Sequence, residues 1–499
     1  MSMKTKLVKL ELPDESAIEA LTREELLSLA KEWRQKINQY QGILFRIKRR
    51  IFGKKSERLK GEIKGSDSSK EPAPRGDTTK LPSHRYPEAP VQEDDIDFIQ
   101  PPVCPCCGKL MQDSGMTEDS EYLDVDTKEF TVVKQKRHKH RCSKCHGAIA
   151  TVPAPPRVIP GGSYSDNLIV DATLSKYCDL IPMERYSQIA GRAGFPGLPP
   201  HSLIQASFKL ADFLNVIYLL IRDEVLSARV LLADETTHRM LEGDAKTRWY
   251  LWGFSCNIAC FFECHDTRSG DVSTEVLNLS SAAILLSDAY SGYKKSLKVT
   301  NEIRKKAGKP LIMTAYCNAH ARREFHNNIL ADSPSIDAKF MVDQYKKIYE
   351  LNAQSKDLSP KEVLKIRETM KPHFEKMKEE SLGKIDSYSS KSGMGTAYGY
   401  FINNYEGLTL FLSHPDVAID NNASERLLRS HVVGRKTWYG THSPEGARTA
   451  AVHFTIVETC KLIGVNPREY YQDAINRIHS HDKPVTPWQY KQESKGNTG

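Results

Sequence analysis

Apolar and polar positions along this chain follow two different periods, and the pattern centres on an apolar run at residues 228–233 that ends in Asp234, Glu235 and Thr236. A short apolar run bounded by a charged, threonine-bearing turn predicts a strand buried on both faces. Asp234 then sits where a central strand leaves its sheet, the place where open α/β sheets bind ligands. A plain strand-ending turn has the same local sequence. The pattern recurs at residues 282–287, a second apolar run that ends in Asp288. Between the two, residues 248–254 and 258–264 are aromatic and β-branched runs split by a Ser-Cys-Asn turn, which predicts two more strands. Residues 271–279 are helix-sized. The order is strand, strand, strand, helix, strand, with a carboxylate closing the first and the fourth strand.

Downstream, residues 310–317 predict a fifth strand leading into His320, Arg322 and Arg323. A histidine and two arginines beyond a sheet suit phosphates, and equally suit a salt-bridged helix start. At residues 420–429, Asp420 and Asn421 can cap a helix whose first turn holds Glu425. Arg426, Arg429, Arg435 and Lys436 follow along that helix and its exit, Arg429 one turn from Glu425 on the same face. The interval from Asp288 to Glu425 exceeds what one strand and one helix need. Its surplus predicts inserted helices over residues 336–382, one of them opened by a capping box of Ser359 and Glu362, and another over residues 397–412.

Upstream the period is helical. Leu26, Leu29, Trp33, Ile37, Tyr40, Leu44, Ile47 and Ile51 recur by threes and fours, predicting one helix over residues 15–51. Its stripe needs a cover, either a second copy in a coiled coil or the body of the protein. Lys and Arg dominate residues 46–60, as in a DNA-contacting arm or a solvated face. Residues 61–102 turn to Gly, Ser, Pro and charge, a flexible linker able to span roughly 35 Å. Cys104 with Cys107 and Cys142 with Cys145 then form two Cys-x-x-Cys knuckles. That spacing lets four thiolates reach one structural Zn²⁺ at about 2.3 Å; free thiols packed in a small core are the alternative. Residues 130–133 and 134–141 are the expected ribbon strands. The second carries Lys136, Arg137, Lys139 and Arg141, a DNA contact or a solubilising edge. Residues 165–226 are helical, and within them residues 185–192 and 198–204 read as helix, Gly/Pro turn, helix, either a helix-turn-helix or a packing unit.

The length of 499 residues allows several domains, and the net charge of +8 permits a polyanionic partner without requiring one. Of 11 cysteines, five fall in the two knuckles, the four ligand candidates and Cys106 as a bystander, which suits metal binding in a reducing compartment better than disulfides. No apolar run reaches the ~18 residues of a membrane span, and the N-terminus has no signal-peptide core. A cytoplasmic protein with no membrane partner is expected.

The strand order resembles the ribonuclease H-like fold, whose members hold two divalent metals between acids at the first and fourth strands and on a later helix. More specifically, ADET (233–236), CNAHARREF (317–325), DNNASER (420–426), GRKTW (434–438) and ETCKLIGVNPREY (458–470) resemble a bacterial transposase of the insertion-sequence-66 type, a DDE transposase. Upstream, FGKKSER (52–58) and PRVIPGG (156–162) fit the same family. One departure is Asp288-Ala289-Tyr290, where the family usually has Asp-Gly-Tyr; alanine can replace glycine unless φ is positive.

The resemblance implies Asp234, Asp288 and Glu425 as the catalytic acids, holding two Mg²⁺ or Mn²⁺ ions. Glu235 is expected on the opposite face of its strand. Asp266 is the competing carboxylate, in a turn-like setting. The resemblance also implies binding to the element's terminal repeats and to target DNA, Mg-dependent cleavage and strand transfer, and small accessory proteins from the same element. Nucleoid association when bound and self-association through the N-terminal helix complete the expectation. Two other classes remain open: a non-catalytic zinc-ribbon regulatory protein, and a nuclease of the same fold without strand transfer. The expected organisation is 1–60 coiled-coil helix, 61–102 linker, 103–150 zinc ribbon, 151–227 helical DNA-binding region, 228–440 α/β catalytic domain with a helical insertion at about 326–412, and 441–499 helical tail.

Overall fold

The computed structural model describes residues 22–26, 28–29, 130–135, 139–141, 149–151, 153–241, 247–329 and 335–496. Cys104, Cys107, Cys142, Cys145, Lys136 and Arg137 lie outside them, as do the linker and most of the N-terminal helix. Residues 23–26 and 28–29 are helical, and the helix opens at Thr22, whose backbone and hydroxyl both donate to the Glu25 carboxylate. Residues 130–133, expected as a strand, carry none: Val132 and Val133 are 72% and 78% exposed, so no apolar face is there to be paired and buried. The basic segment pairs instead with the chain that follows it. β1 (Lys139–Arg141) runs antiparallel to β2 (Ile149–Thr151), His140 opposite Ala150.

The described residues from 134 onward belong to one compact unit. Its centre is a five-stranded sheet of β3 (Val230–Arg239), β4 (Arg248–Ser255), β5 (Cys260–His265), β6 (Ile284–Ser287) and β7 (Met313–Tyr316), in the order β5-β4-β3-β6-β7. The first three strands form an antiparallel meander, while β6 and β7 join parallel to β3. Helices α1 (Asp166–Tyr177), α2 (Met183–Arg192), α3 (Pro200–Phe213) and α4 (Asn215–Ser227) precede the sheet. α5 (Gly270–Leu279) links β5 to β6, and α6 (Ser291–Lys306) links β6 to β7.

Strand alternation divides the sheet into two faces. Leu231, Ala233 and Leu285 point into one core, shared with α1, α3, α4, α5, α6, α13 (Pro444–Ile463) and α14 (Pro467–His479). The region before residue 228 and the tail after residue 440 therefore pack against the same side of the sheet. Ile284, Leu286 and Ala315 point the other way, with Val230 and Leu232, into a core built from the inserted helices. These are α7 (Asn318–Ile329), α8 (Ile336–Ala353), α9 (Pro360–Lys384), α10 (Gly393–Asn403) and α11 (Tyr405–Thr409). The insertion is thus the cover of one sheet face, and without it a row of aliphatic side chains worth about 1.5–3 kcal/mol each would be left in water.

The Ser359–Glu362 capping box is present at the start of α9. The helix expected over residues 397–412 begins earlier, at the Ser392 cap, and stops at Asn404 before the short α11. Asn404 is buried, its amide nitrogen donates to the Tyr400 carbonyl and its amide oxygen accepts from Lys294, and those side-chain bonds compete with helix continuation. Among the described residues no single helix is long and apolar enough to cross a membrane.

Candidate functional site

Asp234 does not close its strand. β3 continues to Arg239 because β4 pairs with it from Leu232 through Arg239, but the parallel partner β6 stops pairing at Leu232 opposite Leu286. The pairing offset is the same as the offset between Asp234 and Asp288. The two aspartates therefore fall at one level across adjacent strands, Asp234 held inside the sheet and Asp288 just beyond its last parallel rung. The Asp288 carboxylate accepts from the backbone N–H of Tyr290 at 3.1 Å, which turns the chain into α6. Ala289 does not have a positive φ, so the glycine usual at this position is not required by the backbone.

Glu425 arrives from a third element, α12 (Asn422–Trp438), in its first turn. Asn421, 1% exposed, fixes where that helix begins. Its amide donates to the carbonyl of Ala233 at 2.9 Å, one residue before Asp234, and its backbone N–H donates to Cys317 Sγ at 3.2 Å. Asn318, fully buried, donates to the carbonyls of Leu408 and Ile419, and Tyr349 donates to Asp420 at 3.0 Å. The inserted helices thereby brace the chain that delivers Glu425. Sequence reasoning placed Asn421 only as a cap; that its side chain reaches a strand nearly two hundred residues away has no local signal.

The electrostatics follow from this convergence. Burial, then the negative charges of Glu235, Glu425 and Asp288, push the Asp234 carboxyl well above the usual carboxylate range, against one backbone N–H from Glu235 that favours the anion. Three carboxylates from β3, the end of β6 and α12 share one electrostatic field, and Glu425 Oε1 is buried with no hydrogen-bond donor. All three are oxygen donors, the ligand type of hard divalent cations, but among the described residues the group whose ligand atoms all lie within 4.8 Å of one another is Cys317, His320 and Glu425. Glu235 lies on the other face. Its side chain is 2% exposed, and its carboxylate accepts from Tyr293 at 2.6 Å and is bridged by Arg268 at 2.6 Å. Asp266 is exposed in the bend between β5 and α5.

The expected basic residues separate into groups. His320 Nδ1 lies 3.7 Å and Arg323 4.0 Å from the Glu425 carboxylate, while Arg322, on the same helix, is half-buried. Arg426, Arg429 and Lys436 are exposed along α12. Arg435 turns inward and donates to the hydroxyls of Thr236 at 3.2 Å and Thr237 at 2.6 Å. Lys139 and Arg141 lie in β1. A buried pair was missed by sequence reasoning: His238 of β3 faces His431 of α12 at 3.3 Å, and His238 also bonds Thr441 at 2.7 Å. Burial, then the Arg435 charge, lowers His238 to about 4, and burial likewise pushes His431 well below its ordinary value, so both are neutral at pH 7. The period-two pattern of β3 puts residue 238 on the Asp234 face, which was readable; its partner was not.

A family model described as "Transposase IS66 family" matches residues 161–449, which covers the sheet, the insertion and α12. The chain is also similar to three proteins of Sinorhizobium fredii, each described only as uncharacterized. It is 28% identical to y4hP over 84% of this chain and 79% of the relative, and 25% identical to y4jD over 79% of each. With y4qI it shares 28% identity over 80% of this chain and 76% of the relative.

Proposed function

Since the chain belongs to the transposase IS66 family, we propose that it is a DDE-type enzyme that binds the ends of its insertion sequence and performs metal-dependent DNA cleavage and strand transfer at Asp234, Asp288 and Glu425. The observation that carries this reading is the shared field of the three carboxylates, expressed in the raised Asp234. A sheet ordered β5-β4-β3-β6-β7, with an antiparallel meander and two parallel strands, supports assigning the ribonuclease H-like fold to it.

Asp234, Asp288 and Glu425 would hold two Mg²⁺ or Mn²⁺ ions. Bound there, such ions supply activation of the attacking oxygen and charge stabilisation at the leaving oxygen. The chain's own part is positional. β3 fixes Asp234 within a paired strand, the Asp288–Tyr290 turn fixes the second acid, and Asn421 ties the start of α12 to the strand that carries Asp234. Preorganisation of this kind avoids reorganisation cost at the moment of reaction. Arg322 and Arg323 on α7, and the exposed Arg426, Arg429 and Lys436 on α12, are assigned to DNA phosphates on either side of the acids, with His320 beside them.

In the same reading Cys104, Cys107, Cys142 and Cys145 bind one structural Zn²⁺, Lys136, Arg137, Lys139 and Arg141 contact DNA, and the N-terminal helix joins copies of the chain. Accessory proteins of the element assist, and the protein acts in the bacterial cytoplasm. The test is purified full-length chain with Mg²⁺ on a labelled duplex carrying the element's end. Cutting and joining supports the proposal. Cutting alone makes the protein a nuclease, and binding without cutting makes it a regulator.

A further inference from the structure

Glu425 also belongs to a cluster of metal-ligating side chains. Cys317 leaves β7 as its first residue beyond the strand, His320 follows in the first turn of α7, and Glu425 lies in the first turn of α12. One ligand atom from each, the thiol sulfur, a ring nitrogen and a carboxylate oxygen, all lie within 4.8 Å of one another. His320 Nδ1 and Glu425 Oε1 face each other at 3.7 Å, too far for a hydrogen bond, and each is a buried atom with no other partner. Two buried polar atoms left unbonded are destabilising unless something occupies the space between them.

Two ligands on one tetrahedral Zn²⁺, at about 2.0–2.1 Å from the metal, stand about 3.3 Å apart. The observed separation closes to that with a shift of a few tenths of an ångström. The third donor is already oriented, because the backbone N–H of Asn421 donates to Cys317 Sγ at 3.2 Å. That is the kind of outer contact that steadies a thiolate on a metal. We propose that Cys317, His320 and Glu425 form a transition-metal site, with Zn²⁺ as the fitting ion. Sulfur and imidazole donors select Zn²⁺ over Mg²⁺, which distinguishes this site from the all-carboxylate one. Zn²⁺ bound here would displace the Cys317 proton to solvent and take Oε1 of Glu425, the oxygen nearest His320, leaving Oε2 beside Arg323. The site rests on coordination geometry alone and does not depend on the DNA-cleaving role of Glu425.

The experiment is metal counting on full-length protein without DNA. Chelator-stripped protein is reloaded with Zn²⁺ or Co²⁺ and compared with Cys317→Ser and His320→Ala. Any zinc held by the N-terminal cysteines is common to all three proteins and cancels. Wild type should bind one equivalent more than either variant. With Co²⁺ it should show an added thiolate-to-metal charge-transfer band in the near ultraviolet, absent from Cys317→Ser. Should Cys317→Ser misfold, His320→Ala carries the comparison, because that side chain is 26% exposed and its loss leaves the β7 turn intact. Equal stoichiometry and superimposable cobalt spectra would overturn the proposal. As no nucleic acid is present, that result would leave the cleavage assay untouched, and failure of the cleavage assay would leave the metal count untouched.

Discussion

Asp234 and Glu235 are neighbours on β3 with the same charge and opposite surroundings. Glu235 points into the face shared with α6, where Tyr293 and Arg268 satisfy it completely. Asp234 points toward the face covered by the insertion, where the charges of Asp288 and Glu425 act on it and no cationic side chain among the described residues bonds it. A carboxylate held by a tyrosine and an arginine already has its charge compensated. One in the field of other anions is held above the usual carboxylate range. The comparison teaches that a two-residue acidic string on a strand carries two separate jobs, and that strand alternation decides which residue has which.

The largest effect that would sharpen this contrast is at Asp234. Asp234→Asn keeps the shape and removes the anion, so cleavage should fall at least 10³-fold, roughly 4 kcal/mol of barrier, while end binding in a gel-shift assay persists. Next comes the histidine pair four residues along the same face. His238 protonates near pH 4 when folded but near pH 6.5 when unfolded, so between those values the unfolded chain binds more protons. Stability is then complete above about pH 6.5 and falls as the pH drops toward 4, by on the order of 3 kcal/mol. Melting temperatures across that window should show this slope, and His238→Gln should make it shallower, the buried His431 keeping its own share.

Glu235→Gln should cost about 1–3 kcal/mol of stability, because Tyr293 and Arg268 lose their anionic acceptor. Most cleavage activity should remain. A dead but fully stable Glu235→Gln would reverse the two assignments. The smallest effect is expected at Arg429, exposed on α12. Arg429→Ala should weaken DNA binding about equally for all sequences and reduce the salt slope of the binding constant by about one.

How much of this was legible depended on range. The strands, the recurrence of Asp234 and Asp288 and the first-turn position of Glu425 were readable, because alternation and capping are local and leave a local trace. The surplus between Asp288 and Glu425 was readable as helices, and the Ser359 capping box marked one boundary. What escaped was contact across sequence. The end of β3 was misplaced because its length is set by β4, not by its own residues. Residues 130–133 look like a strand by β-propensity, yet Val132 and Val133 are largely exposed and carry no strand. Asn421 reaching Ala233, His431 reaching His238 and Glu425 gathering with Cys317 and His320 all join segments far apart in the chain. No spacing rule predicts such meetings.

The central claim is that Asp234, Asp288 and Glu425 are metal ligands, and a change of metal preference tests it more directly than loss of activity. Asp288→Cys exchanges a hard oxygen donor for a soft sulfur at one position. The account predicts that this variant, incubated with a labelled end duplex, fails to cut in Mg²⁺ and regains cutting in Mn²⁺, whereas wild type cuts in both. Cutting by Asp288→Cys in Mg²⁺ at the wild-type rate would contradict it.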